Sequence, residues 1–408
     1  MHPGEFLGIL SLLILFGFLG EIIFRKYGIA PVIFYIVLGL FMGPVLHIFD
    51  TSTAIKIAPY LGAIVFAIIL FEGGLEVHIS TFLKSMGKSF LFSLTVYFLT
   101  TMLISLVWYF IFGDLMGGIL MGVIVGCTSA AIIVPIINRL DVHPETRALI
   151  MLESTVTDML TVILVFVIIN MMVEQGGEKV NLIATLWNTL LNSTVLGIIA
   201  GLFFFRMYAA VKSYQLSYML VLALMFGMYS LVELLHGNGP LSVLILGLIV
   251  GNSYDLFRFL KRRLHIDIYR YLGIEEDEAH LDEYVHKATA ELSFISRVFF
   301  FILLGMSVDP GFFTSISKVL LVILVFLIIV LARLIGVRFF SKIFRIIRGK
   351  DLDVVFFSMP RGLATAVVSF QPSIYGLPNA DLYIAVAFGI IVLTVLTMTI
   401  GIAVSIKS

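Results

Sequence analysis

Apolar runs separated by short polar interruptions recur along the whole chain. Thirteen segments can be marked: 4–24, 29–46, 57–75, 89–112, 115–138, 147–173, 185–205, 216–235, 239–255, 293–308, 316–337, 354–373 and 380–404. Many have the length of about 18 residues or more that carries a helix across hydrocarbon. Several are shorter or interrupted by Gly and Pro. The pattern predicts an all-α polytopic membrane protein with about 13 transmembrane helices, and an odd number puts the termini on opposite sides.

Composition agrees with the pattern. Of 408 residues, 60% are hydrophobic and 13% charged, with a mean hydropathy of +1.11. Soluble domains carry roughly a quarter charged residues. The formal net charge is zero and by itself points to no partner; the lipid bilayer is an expected partner and nucleic acid is not. The single cysteine, Cys127, lies in an apolar run, which excludes a disulfide within the chain. The start, MHPGEFLGIL, lacks a basic leader and a small-residue cleavage site, so the first span is expected to be retained.

The distribution of charge sets the orientation. With the N-terminus outside, the inward loops and adjoining span ends hold 21 of the 26 Lys and Arg residues, and the outward loops and span ends only Lys56, Lys179 and Lys318. That is the positive-inside asymmetry, and it predicts N-out and C-in in the cell (inner) membrane. The remaining two, Arg333 and Arg361, fall inside spans. The one sizeable loop, 256–297, is basic and amphipathic in its first half and acidic in its second. It reads as a cytoplasmic helix along the headgroups followed by a solvated acidic turn. The alternative makes Glu275, Glu276, Asp277, Glu278, His280 and His286 a pH or metal sensor, although they lack recognisable ligand spacing.

Few ionisable residues fall within the spans: Glu72, Glu153, Asp158, Arg333 and Arg361, with Glu21 and Glu233 near span ends. A charge at mid-bilayer costs about 2.5–3.5 kcal/mol on insertion scales, so such groups pair with one another or face a water-filled cavity. Structural ion pairs between packed helices are the alternative to a transport site. In MLESTVTDMLTVILVFVIIN (151–170), Ser154 and Asp158 share one helical face while Glu153 and Thr157 share the next. Glu153 and Asp158 diverge by about 140° and do not form one carboxylate pair. Arg333, in LARLIGVRFF, is the natural partner for Glu153. Asp158 is then left without a counter-charge. Burial disfavours its charged form, so it binds a proton, or releases it and binds a small cation, but not both at once.

Two interrupted segments flank this acidic span in sequence. GVIVGCTSAAIIVPIINRL holds Thr128 and Ser129 between Gly126 and Pro135, and FFSMPRGLATAVVSFQPSIYG holds Pro360, Gly362 and Pro372. Broken helices at corresponding places in two halves of a transporter turn carbonyls and opposed half-helix dipoles toward an ion. Arg361 is placed to offset the carbonyl end of one half-helix. Plain kinks in tightly packed spans are the alternative. Thr128, Ser129, Ser154 and Asp158 make a hard-oxygen set suited to Na+ or K+.

The pieces LFEGGLEV (70–77), CTSAAIIVPI (127–136), ESTVTD (153–158), FFILLGMSV (300–308), LARLIGV (331–337) and MPRGLATAV (359–367) resemble the monovalent cation:proton antiporters, in particular the prokaryotic Na+/H+ exchanger branch. GIAPVIFYIVLGLFMGP (28–44) also looks like that family's early span. The resemblance implies two inverted repeats with crossed broken helices in a six-helix core, plus a dimerisation domain that forms homodimers. It divides the chain into interface helices (1–88), a first core repeat (89–173), linker and interface helices with the cytoplasmic loop (174–308), and a second core repeat (309–408). It makes Asp158 the shared cation and proton site with Ser154 and Glu72, and Glu153, Thr157, Arg333 and Arg361 its structural support. Two departures stand out. The family's Asn-Asp or Asp-Asp pair reads Thr157-Asp158, and a single carboxylate implies electroneutral exchange. Its Thr-Asp at the first break reads Thr128-Ser129, which leaves K+ open.

The expected function is secondary exchange of Na+ (alternatively K+ or Li+) for H+ by alternating access, in the service of pH homeostasis. No cofactor and no enzymatic activity are expected. A K+-selective antiporter, a channel-like K+ efflux protein and an organic-anion cotransporter are the alternatives. No Ser/His pair or His-Glu-x-x-His sequence in the spans supports a hydrolase.

Overall fold

In the computed structural model the described residues are 3–27, 30–46, 48, 51–76, 87–137, 140–174, 182–211, 217–235, 237–264, 270–271, 283–308, 311, 314–344, 349 and 351–407, and all regular structure among them is helical. Each of the thirteen apolar segments contains helix. In chain order these are α1 (Pro3–Tyr27), α2 (Pro31–Leu40, continued by a π-helical turn, Phe41–Val45), α3 (Thr51–Glu76), α4 (Lys88–Phe112), α5 (Leu115–Gly126), α6 (Ala130–Ile137), α7 (Pro144–Glu174), α8 (Leu182–Val211) and α9 (Ser217–Leu234). They are followed by α10 (Gly239–Gly251), α11 (Ser253–Phe259, continued by a π-helical turn, Leu260–Leu264), α12 (Glu283–Met306), α13 (Ile316–Phe344), α14 (Asp351–Phe357), α15 (Leu363–Val368), α16 (Gln371–Ile374) and α17 (Ala380–Lys407). Six of the described helices are long and apolar enough to cross a membrane, and the pair α10–α11, bent by 75°, makes a seventh candidate.

The chain divides into two compact units. One comprises 1–62, 85–176 and 297–408, and the other 63–84 and 177–296. In the first, α13 shows the arrangement expected of a bilayer protein. Leu320, Leu327, Leu331, Ile335, Phe339 and Ile343 are about half exposed along one face, while Val325, Ile329, Ala332, Arg333 and Phe340 are buried along the other. A helix with apolar residues outward and its guanidinium inward is stable in lipid and not in water.

Packing in this unit relies on small residues. Gly118, Gly122 and Gly126 recur every four residues on α5 and receive Ser105, Thr101 and Tyr97 of α4; a Cβ on Gly122 would lie 2.8 Å from the Thr101 backbone. This close backbone approach is the small-xxx-small device of membrane helices. Gly39 of α2 and Gly43 of the π-helical turn that continues it meet Ile302, Gly305 and Met306 of α12 in the same way.

In the second unit, Phe71, Leu75, Phe204, Phe205, Tyr208, Met225, Leu246, Val250 and Phe257 form one buried core. Gly74 of α3 and Gly247 of α10 bring those helices together. The predicted basic amphipathic helix corresponds to α11: Phe257 is buried while Arg258, Lys261 and Arg262 are exposed. Glu275, Glu276, Asp277, Glu278 and His280 lie outside the described residues. The helix carrying the tenth segment begins at Glu283, ten residues before the predicted boundary. Val285, Thr289, Ser293 and Ser296 are buried at helical spacing, so the amphipathic stretch continues the span.

Candidate cation site

The first unit contains two helix breaks. α5 stops at Gly126, Cys127 is extended (φ −74°, ψ 154°), and helix resumes at Ala130. α14 stops at Phe357 and helix resumes at Leu363. The breaks touch: the Ser129 N–H donates to the Pro360 carbonyl at 2.8 Å, and a Cβ on Gly362 would fall on Ser129 Oγ. Only glycine permits this approach. Gly and Pro here end helices instead of merely kinking them.

A helix that stops inside a membrane leaves four carbonyls without partners, each costly to bury. At the end of α5 side chains serve all four. Val123 O accepts from Tyr97 Oη (3.3 Å) and Thr161 Oγ1 (3.2 Å), and Ile124 O from Cys127 Sγ (4.0 Å). Val125 O accepts from Arg361 Nε (2.8 Å) and Gly126 O, more weakly, from Arg361 Nη2 (3.5 Å). Arg361 thus sets a full positive charge at the negative end of the half-helix dipole, the role read for it from sequence. Thr394 Oγ1 on α17 accepts its backbone N–H.

Arg333 treats α14 alike. It is ion-paired to Glu153, as expected from sequence, and both are buried. It also donates from Nε and Nη2 to Val355 O (3.1 and 2.7 Å) and from Nη2 to Ser358 O (2.8 Å), with its guanidinium 5.3 Å from the centre of the Phe92 ring. One guanidinium therefore neutralises a carboxylate and ends a helix.

The polar face of α7 meets the first break. Thr157 Oγ1 accepts from the Thr128 N–H (3.1 Å) and donates to Glu153 O (2.9 Å), and Thr128 Oγ1 lies 3.2 Å from Ser154 Oγ. Thr128, Ser154 and Thr157 are thus brought together, whereas Ser129 turns to the second break. Asp158 lies on the same stretch, half-buried, with Oδ1 sealed from solvent and without a hydrogen-bond partner. Among the described residues no ion pair reaches it. Glu72 belongs to the second unit, where its carboxylate accepts from Ser293 Oγ.

Sequence reasoning passed over Tyr97, Cys127, Thr161, Thr365 and Thr394. One signal for Thr161 was present: Ser154, Thr157, Asp158 and Thr161 mark one helical face at i, i+3, i+4 and i+7. The contact of Cys127 Sγ with Thr365 Oγ1 (3.2 Å), which links the two broken helices, joins residues 238 apart and has no local signature.

Known proteins resemble this chain over nearly its full length. The profile of the transmembrane sodium/hydrogen exchanger family matches residues 10–406. The Na+/H+ antiporter 1 of Methanocaldococcus jannaschii is 26% identical, over 92% of this chain and 85% of that protein. The K+/H+ antiporter NhaP of Alkalimonas amylolytica is 22% identical over 95% of this chain, which spans 63% of that longer protein. The structure of the sodium proton antiporter MjNhaP1 from M. jannaschii at pH 8 superposes with a TM-score of 0.77 at 22% identity, covering 98% of this chain and all of that one.

Proposed function

Because the chain belongs to the transmembrane sodium/hydrogen exchanger family, we propose that it is a secondary antiporter exchanging Na+ for H+ across the cell membrane, with Asp158 as the shared site. The observation that carries this is one sealed carboxylate oxygen, Asp158 Oδ1, with neither a hydrogen-bond partner nor an ion pair among the described residues. Ser154, Thr157 and Thr161 all engage α5 or its break, while Asp158 Oδ1 has no partner. A carboxylate with one oxygen sealed from water and no guanidinium paired to it is neutralised by what it binds. A proton does so covalently. A dehydrated alkali cation does so with help from the Thr128 and Ser154 oxygens. The two compete for one place, and alternating access then converts competition into exchange.

A single exchangeable charge makes the exchange electroneutral. Thirteen crossings with N-out and C-in, and a homodimer, complete the reading; the loop charges and the fold likeness support it. K+ is the second candidate cargo. Ser129 supplies no charge at the first break, which favours a less strongly hydrated ion, and relatives named K+/H+ antiporters match over most of the chain.

The test is dequenching of a pH dye by added Na+, K+ or Li+ in proteoliposomes holding wild type or Asp158→Asn. Wild type responds to at least one cation and the variant to none. Full exchange by Asp158→Asn rejects the assignment.

A further inference from the structure

Tyr97 of α4 and Thr161 of α7 are fully buried, and their hydroxyls lie 3.0 Å apart. Both also reach Val123 O in the last turn of α5. The Tyr97 ring fills the space beside Gly126, where a Cβ would lie 2.9 Å from the ring carbon Cε2. Three helices thus meet in one knot of two hydroxyls and a carbonyl.

The position of the knot gives it significance beyond packing. Thr161 follows Asp158 by three residues, about 4.5 Å along α7. Val123 precedes the break at Cys127 by one turn. On the other side of Asp158, Ser154 and Thr157 hold Thr128. The carboxylate is therefore bracketed: α7 is fastened to the broken helix before and after it, and between the fastenings Asp158 keeps one oxygen, Oδ1, without a partner. Fastened on one side alone, α7 could slide or roll against the end of α5. The spacing between Asp158 and the Thr128 oxygens would change with it.

We infer that the Tyr97–Thr161 hydroxyl pair is a positioning element that sets the dimensions of the cation site and hence its preference among alkali cations. This rests on Asp158 being the cation site. Alkali ions differ in radius by fractions of an ångström, so a site built to discriminate among them needs its ligands fixed to that tolerance. Neither hydroxyl need touch the ion.

The experiment measures half-saturating concentrations and maximal rates for Li+, Na+ and K+ in proteoliposomes of wild type, Tyr97→Phe, Thr161→Val, Thr161→Ser, the double variant Tyr97→Phe/Thr161→Val and Asp158→Asn. Tyr97→Phe and Thr161→Val are expected to raise half-saturation for the preferred cation by about fivefold, the effect of one buried hydrogen bond. They should change it unequally among the three ions and leave maximal rates within about twofold. Thr161→Ser, which keeps the hydroxyl, retains the wild-type order, and the double variant is no worse than the poorer single one. Unchanged half-saturation in both single variants overturns the inference. So does a uniform loss for all three ions with lowered thermal stability, which marks a purely structural knot. Exchange by Asp158→Asn instead rejects the site assignment on which the inference stands.

Discussion

Glu153 and Arg333 form a buried pair whose members are not interchangeable in their obligations. Glu153 is held by the guanidinium through Oε1, and its Oε2 has no hydrogen-bond partner. Arg333 also closes the end of α14. Replacing it with Met strands a carboxylate and two carbonyls, at a cost of about 3–5 kcal/mol for the buried charge alone. Glu153→Gln keeps an acceptor and costs less. Thermal unfolding in detergent should therefore show a larger fall for Arg333→Met than for Glu153→Gln; equal falls would mean that the α14 carbonyls do not need the arginine. At Thr157 the prediction is narrower. Thr157→Val keeps the shape but leaves the Thr128 N–H without its acceptor, a loss of about 1–3 kcal/mol. Exchange should fall with it, and Thr157→Ser should restore both.

At the scale of elements, glycine is the variable with the clearest consequences. Gly122 abuts the Thr101 backbone, which cannot yield, so Gly122→Ala forces α4 and α5 apart and should lower both melting temperature and transport. Gly227, on α9, has nothing within 4 Å of an added Cβ. Gly227→Ala should be neutral or raise stability by up to about 1 kcal/mol. Measured side by side, the two alanines separate contact from intrinsic helix preference. The same scale shows how much was legible beforehand. Helix placement and both breaks could be read because hydrophobic runs and Gly or Pro punctuation are local signals. The Glu153–Arg333 pairing could be read because two buried opposite charges must find each other. The further bonds of Arg333 to α14, the Tyr97–Thr161 knot and the Cys127–Thr365 contact could not, since they depend on where helices cross. The early start of α12 was missed because Glu283, His286 and Lys287 look like loop residues until Val285, Thr289 and Ser293 are seen as one face.

For the whole molecule, the proposed orientation makes a direct prediction. Cys127 is buried, so a cysteine introduced at Ser408 should react with an impermeant maleimide in inverted vesicles and resist it in intact cells. The reverse pattern would turn the molecule over. A wider consequence comes from the end of α5. Its carbonyls are served by Tyr97, Thr161, Cys127 and Arg361, all from the chain itself, so no passenger has to arrive for the backbone to be at rest. A carrier of this kind does not melt when it unloads and has nothing to refold around the next ion. Calorimetric titration with its cargo should accordingly show a heat-capacity change near zero, without the large negative value that accompanies ordering on association.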